Sequence, residues 1–122
     1  MKIVTLMEDT CAYPECCFEH GLSVYIETKN HKILMDTGAT NAFIHNAAKL
    51  GVDLEKVDTV ILSHGHYDHA GAAKMVADAF GIEIYAEEHE KETLENPAVN
   101  LSGMQSFRHS FCLKPHILYI GH

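Results

Sequence analysis

The chain has 122 residues, 47% hydrophobic and 21% charged, the size and make-up of one globular domain with room for a single modest core. Nine Lys and Arg against 17 Asp and Glu give a net charge of −8, which repels phosphate backbones and excludes a nucleic-acid grip unless a bound cation supplies the positive field. No apolar run reaches membrane-spanning length, and the first apolar run meets Glu8 and Asp9 too early for a secretory signal. The expected compartment is therefore cytoplasmic, with no membrane partner, and Cys11, Cys16, Cys17 and Cys112 are read as thiols.

Residues 2–7 predict a short strand, and residues 8–20 an irregular stretch around Pro14. Residues 22–28 alternate apolar and polar, the pattern of a half-buried strand. A polar turn at 29–32 leads into Ile33-Leu34-Met35, so 22–35 reads as a hairpin. That strand stops at Asp36-Thr37-Gly38. A helix is expected next, capped by Thr40 or Asn41, with Phe43, Ala47 and Leu50 on one face and Gly51 at its end. A turn over 54–57 precedes an apolar run from Val57 to Leu62, which ends at Ser63-His64-Gly65-His66. A second helix is predicted from about His69 to Phe80, with a stripe of Ala72, Met75, Val76, Ala79 and Phe80 and with Gly81 at its end. A strand over 82–86, a charged helix over 87–95, a loop over 97–113 and a last strand over 116–120 complete the chain. The order predicts an α/β domain with one mixed sheet and helices on one face.

Topology says which loops meet. Hairpin strands run oppositely, so the 8–20 loop and His20 share a sheet edge with Asp36. If the strand ending at Leu62 runs parallel to 33–35, as a helical crossover demands, His64 emerges at that edge too, where open α/β sheets bind ligands.

Histidine is over-used, with ten in the chain, and it is the commonest metal ligand. Ser63-His64-Gly65-His66-Tyr67-Asp68-His69 packs three imidazoles and a carboxylate into one short bend. Alternate residues project alike, so His64 and His66 can address one ion and Asp68 and His69 a second. Such nitrogen and oxygen donors suit zinc, iron or manganese. Asp36 is placed to receive the other ring N–H of a ligating histidine.

His64-x-His66-x-Asp68-His69 after an apolar strand, with Asp36-Thr37-Gly38 upstream, resembles the metallo-β-lactamase-fold hydrolase superfamily. The stretches 19–23 and 63–71 are similar to its metal-dependent hydrolases with pterin-related members, and 90–102 is more like the glyoxalase-II-like members. The resemblance implies an N-terminal αβ half of an αββα sandwich. It implies His64 and His66 as ligands of a first metal and Asp68 and His69 of a second, zinc by preference, with iron or manganese as alternatives. Asp68 would also be catalytic, orienting the hydroxide and assisting proton transfer, while Asp36 would hold a ligand histidine. The implied reaction is hydrolysis of a small ester, thioester, lactone or phosphate-type substrate, the metal lowering the pKa of bound water to about 7.

The family draws a third histidine, a bridging aspartate and a last histidine from its second half. Here no Asp follows Asp78. The late histidines His89, His109, His116 and His122 stand in no comparable context, although Gly121-His122 echoes a glyoxalase-like pair. The expectation is a single truncated domain over 1–122. It is a fragment, a metal binder without turnover, or a homodimer whose sheets pack face to face to hide an open apolar face, and the homodimer is expected over a lone monomer. His20 is either a contact at the substrate rim or a strand cap. His31 and His45 are read as solvated, His89 as part of a wet helix face, and the cysteines lack the CxxC spacing of a soft-metal site.

Overall fold

A computed structural model describes residues 1–10, 16, 18–64, 66–82, 84–95 and 117–120. The strands are β1 (Lys2–Met7), β2 (Ser23–Glu27), β3 (Lys32–Met35), β4 (Thr59–Leu62), β5 (Ile84–Glu87) and β6 (Ile117–Ile120). The helices are α1 (Ala42–Lys49), α2 (Tyr67–Ala70), α3 (Ala73–Phe80) and α4 (Lys91–Glu95), with 3-10 turns at Leu54–Lys56 and Glu88–Glu90. No helix among the described residues is long and apolar enough to cross a membrane.

All six strands form one mixed sheet in sequence order. β1, β2 and β3 are antiparallel neighbours, and β3, β4, β5 and β6 run parallel. The β3–α1–β4 and β4–α2–α3–β5 crossovers step the same way across the sheet. Right-handed crossovers of that kind place their helices on one face. The period-two pattern of the strands settles which side chains meet them. Tyr25, Leu34, Val60, Leu62, Ile84 and Ala86 are buried in one core with Phe43 and Ala47 of α1 and Val76 and Ala77 of α3. The alternate residues form apolar rows on the other face, Ile3–Ile26–Ile33 and Val24–Met35–Ile61–Tyr85. Ile3 is 62% exposed and Ile61 38%, so this face is open among the described residues.

Several boundaries differ from the sequence expectation. β4 begins at Thr59 and β5 at Ile84. The charged helix is a 3-10 turn followed by α4. The second helix starts at Tyr67 and breaks between Ala70 and Ala73. The break resets the phase, so Ala73 and Ala77 are buried and Ala79 faces out. At the break the backbone packs closely against an earlier segment: a Cβ at Gly71 would collide with the carbonyl oxygens of Ala39 and Tyr67. At α1 the Asn41 side chain makes no cap bond, and the Ala42 N–H donates to Thr40 Oγ1 instead. Gly81 ends α3 in the left-handed region, with φ 64. The loop predicted over 97–113 lies outside the described residues.

Candidate metal centre

β3 and β4 are parallel, so their carboxyl ends open on the same edge. Asp36 follows β3 and Ser63-His64 follows β4. Asp36 is a non-glycine residue with φ 60, a conformation Asp tolerates better than most and one that clusters at functional sites. Its side chain is fully buried. Oδ1 accepts the Ser63 N–H at 2.8 Å, and Oδ2 accepts the Ser63 hydroxyl at 2.5 Å and lies 2.8 Å from His69 Nδ1. One carboxylate thus ties the first residue of the histidine loop to the last. With Nδ1 protonated and donated to Asp36, His69 keeps a lone pair on Nε2.

The backbone repeats the tie. The Thr37 N–H donates to the His69 carbonyl at 2.7 Å, and Thr37 Oγ1 accepts the Ala72 N–H at 3.0 Å. Gly38 bridges Ala70. Glu19 braces the same turn: Oε1 accepts the Ala39 and Thr40 N–H groups, and Oε2 accepts the Thr40 hydroxyl at 2.8 Å.

The result is a cluster of donors. Ligand atoms of His64, Asp68 and His69, all partly buried, lie within 4.8 Å of one another. The His64 and His69 rings are 4.1 Å apart between centroids, and Ser63 Oγ lies 3.0 Å from His64 Nδ1. Two imidazoles and a carboxylate form a donor set that fits a divalent cation of the zinc, iron or manganese kind. The set takes one residue from the first expected ligand pair and both from the second. His66 is exposed and outside this group, its ring edge-on to His64 with centroids 5.2 Å apart. Its main chain opens α2, where its carbonyl accepts the His69 and Ala70 N–H groups.

His20 reaches the cluster from the loop before β2. Its Nε2 lies 3.1 Å from Asp68 Oδ2 and its Nδ1 3.3 Å from Asp9 Oδ2. The Gly21 N–H donated to Asp9 Oδ1 holds that carboxyl below the usual carboxylate range. Asp9, Glu19 and Ser63 were not singled out as site residues by sequence reasoning. For Asp9 the usable signal was topological: the end of β1 must adjoin the start of β2.

The other histidines lie elsewhere. His89 is exposed beside Glu87, His45 is exposed on α1, and His31 pairs with Asp58 at the far end of the sheet. His109, His116 and His122 lie outside the described residues, as do Cys11, Cys17 and Cys112, while Cys16 is half-buried.

Comparison with known proteins accords with this geometry. Residues 18–122 match the family model of the metallo-beta-lactamase superfamily. A solved metal-dependent hydrolase of the beta-lactamase superfamily is 34% identical, with a TM-score of 0.60 over 72% of this chain and 30% of its own. A subclass B3 metallo-beta-lactamase of Bradyrhizobium japonicum is 31% identical, with a TM-score of 0.56 over 61% of this chain and 29% of its own. Among curated relatives, the exodeoxyribonuclease WalJ of Streptococcus pneumoniae is 31% identical over 62% of this chain and 29% of its own length. The 7,8-dihydropterin-6-methyl-4-(beta-D-ribofuranosyl)-aminobenzene-5'-phosphate synthase of Methanocaldococcus jannaschii is 36% identical over 58% and 26%. The chain therefore spans less than a third of the length of these relatives.

Proposed function

Since this chain belongs to the metallo-beta-lactamase superfamily, we propose that it is a metal-dependent hydrolase of a small ester, thioester, lactone or phosphate-type substrate. The observation that carries the reading is the convergence of His64, Asp68 and His69 with buried Asp36 behind His69. These three residues would hold the cation, zinc by preference, and His66 beside His64 is the next donor in reach. The cation would supply Lewis acidity and a water acidic enough to attack near neutral pH. Asp36 fixes the tautomer and orientation of His69. Asp68 would be the carboxylate that receives the proton of the attacking water.

The named relatives differ in kind, a synthase and an exodeoxyribonuclease among them. We take substrate choice to reside outside the segment they share with this chain. A second reading, metal binding without turnover, is favoured by the size of the donor set, since three ligands gather among the described residues. The open apolar rows of the sheet support a homodimer, and the composition supports a cytoplasmic setting.

The test is metal analysis of the purified protein combined with hydrolysis of a panel of the four substrate classes. One to two metals per chain are expected, with turnover abolished in H64A and D68A and reduced in H66A. Metal without turnover selects the second reading. Metal content unaffected by H64A and D68A together overturns both.

A further inference from the structure

Two carboxylate–imidazole pairs are aimed at one atom. Asp36 accepts a backbone N–H on Oδ1, from Ser63 at 2.8 Å, and faces His69 Nδ1 with Oδ2 at 2.8 Å. Asp9 repeats the arrangement. It accepts the Gly21 N–H on Oδ1 at 3.1 Å and faces His20 Nδ1 with Oδ2 at 3.3 Å. The roles of the two Nε2 atoms then differ: His69 Nε2, with a lone pair for a cation, lies 3.7 Å from Asp68 Oδ2, whereas His20 Nε2, 3.1 Å from the same oxygen, holds it by donating an N–H. The first pair is built into the interior. The second lies open, with His20 71% and Asp9 62% exposed.

The outer pair is anchored as well as aimed. The Leu22 N–H donates to the Asp68 carbonyl at 3.2 Å, and the Leu22 carbonyl accepts the Gly38 N–H at 2.8 Å. Gly21, at φ +153, lies so close to the Asp68 carbonyl that a Cβ would collide with it. The backbone carrying His20 is thus fixed against the backbone carrying Asp68, and Asp9 fixes the ring. A histidine that only capped β2 would need none of these three constraints.

We infer that Asp9 and His20 are positioning residues for Asp68: His20 holds Oδ2 of the carboxylate, the oxygen that also faces His69, Asp9 orients His20, and together they set how firmly Asp68 grips a cation. The inference rests on the metal-centre reading above. An exposed pair adds little to folding stability, whereas loss of a partner that orients a ligand costs about 10–100-fold in metal affinity. The two effects are therefore separable.

Co²⁺ titration of the whole chain tests this, reading affinity by chelator competition and coordination by the visible absorption bands. D9N keeps an oxygen for the Gly21 N–H, H20A removes the ring, and H20Q places an amide N–H near the position of Nε2. D9N and H20A are expected to weaken Co²⁺ binding by about tenfold and to alter the bands, while thermal unfolding of the metal-free protein stays unchanged. H20Q is expected to recover most of the affinity, and D58N to match the parent. Parent-like affinity and bands in D9N and H20A, alongside loss of binding in D68A, would overturn the inference and leave the metal centre standing. No Co²⁺ binding by the parent, or no loss in D68A, would overturn the metal centre and the inference with it.

Discussion

The two ends of the sheet each carry an aspartate against a histidine, and they differ in what surrounds the pair. At one end His69 Nδ1 lies 2.8 Å from the fully buried Asp36, with backbone, hydroxyl and imidazole donors converging on one carboxylate. At the other end His31 Nδ1 lies 3.4 Å from Asp58, with the side chains 65% and 45% exposed. Asp58 also collects donors, the Lys32 N–H at 3.0 Å and the Thr59 hydroxyl at 2.6 Å, yet no further ligand-type side chain of the described residues gathers there. The residue types are alike. What sets one end apart as the candidate site is that three chain segments arrive there and shut water away from the anchoring carboxylate, so each donor is held at low entropy and in a weaker dielectric. At the open end water competes for every one of these bonds.

The largest effect should follow from removing the buried anchor. In D36A the Ser63 N–H, the Ser63 hydroxyl and His69 Nδ1 all lose their acceptor. With each hydrogen bond to a charged group worth about 1.5–3 kcal/mol, urea unfolding should show a loss of roughly 3 kcal/mol or more. Metal affinity should fall by about 10–100-fold because His69 loses its orientation. D36N, which keeps the volume and one acceptor oxygen, should recover part of the stability. Unfolding of D36A within 1 kcal/mol of the parent would show that burial at this end adds nothing over the open one.

Much of this contrast was legible in the sequence. Alternation marked the strands, and the abrupt endings at Met35 and Leu62 marked the edge where Asp36 and His64 emerge. The parallel pairing of β3 with β4 followed from the helix between them. The break after Ala70 was not legible, because the apolar stripe runs through it and the close approach of Gly71 to the Ala39 carbonyl joins segments distant in sequence. Asp9 and Glu19 escaped for a related reason. Their partners stand 11 and 21 residues away, and neither residue belongs to a periodic segment that would announce its role.

A smaller effect belongs to the side of the sheet that faces the far turn. The buried Tyr25 hydroxyl donates to Glu27 Oε1 at 2.7 Å. Burial first, and then the bond to Glu27, push the Tyr25 phenol up to about 12. The folded state holds this proton more tightly than the unfolded chain. Its contribution is therefore complete below the ordinary tyrosine value near 10 and is lost as pH rises through about 12. Y25F should lose about 1 kcal/mol at neutral pH, the worth of one hydrogen bond, and should flatten the fall in stability between those two pH values. An unchanged alkaline arm, followed by tryptophan-independent circular dichroism, would place the titrating group elsewhere.

The smallest effect is expected at the open pair itself. The Thr59 hydroxyl first, then the Lys32 N–H and His31, hold the Asp58 carboxyl below the usual carboxylate range. A depressed folded-state value means stability that is present above the unfolded carboxylate value and lost as pH falls through the folded one. D58N should therefore abolish the part of the acid-side fall in stability that this carboxyl causes. At neutral pH it should cost less than about 1 kcal/mol, because the ion pair is exposed and its partners can turn to water. It should leave Co²⁺ affinity untouched. Set against D36A, the ratio of the two losses measures directly how much enclosure adds to an aspartate–histidine pair in one fold. Equal losses at neutral pH would mean that the paired residues themselves, rather than their enclosure, carry the energy at both ends of the sheet.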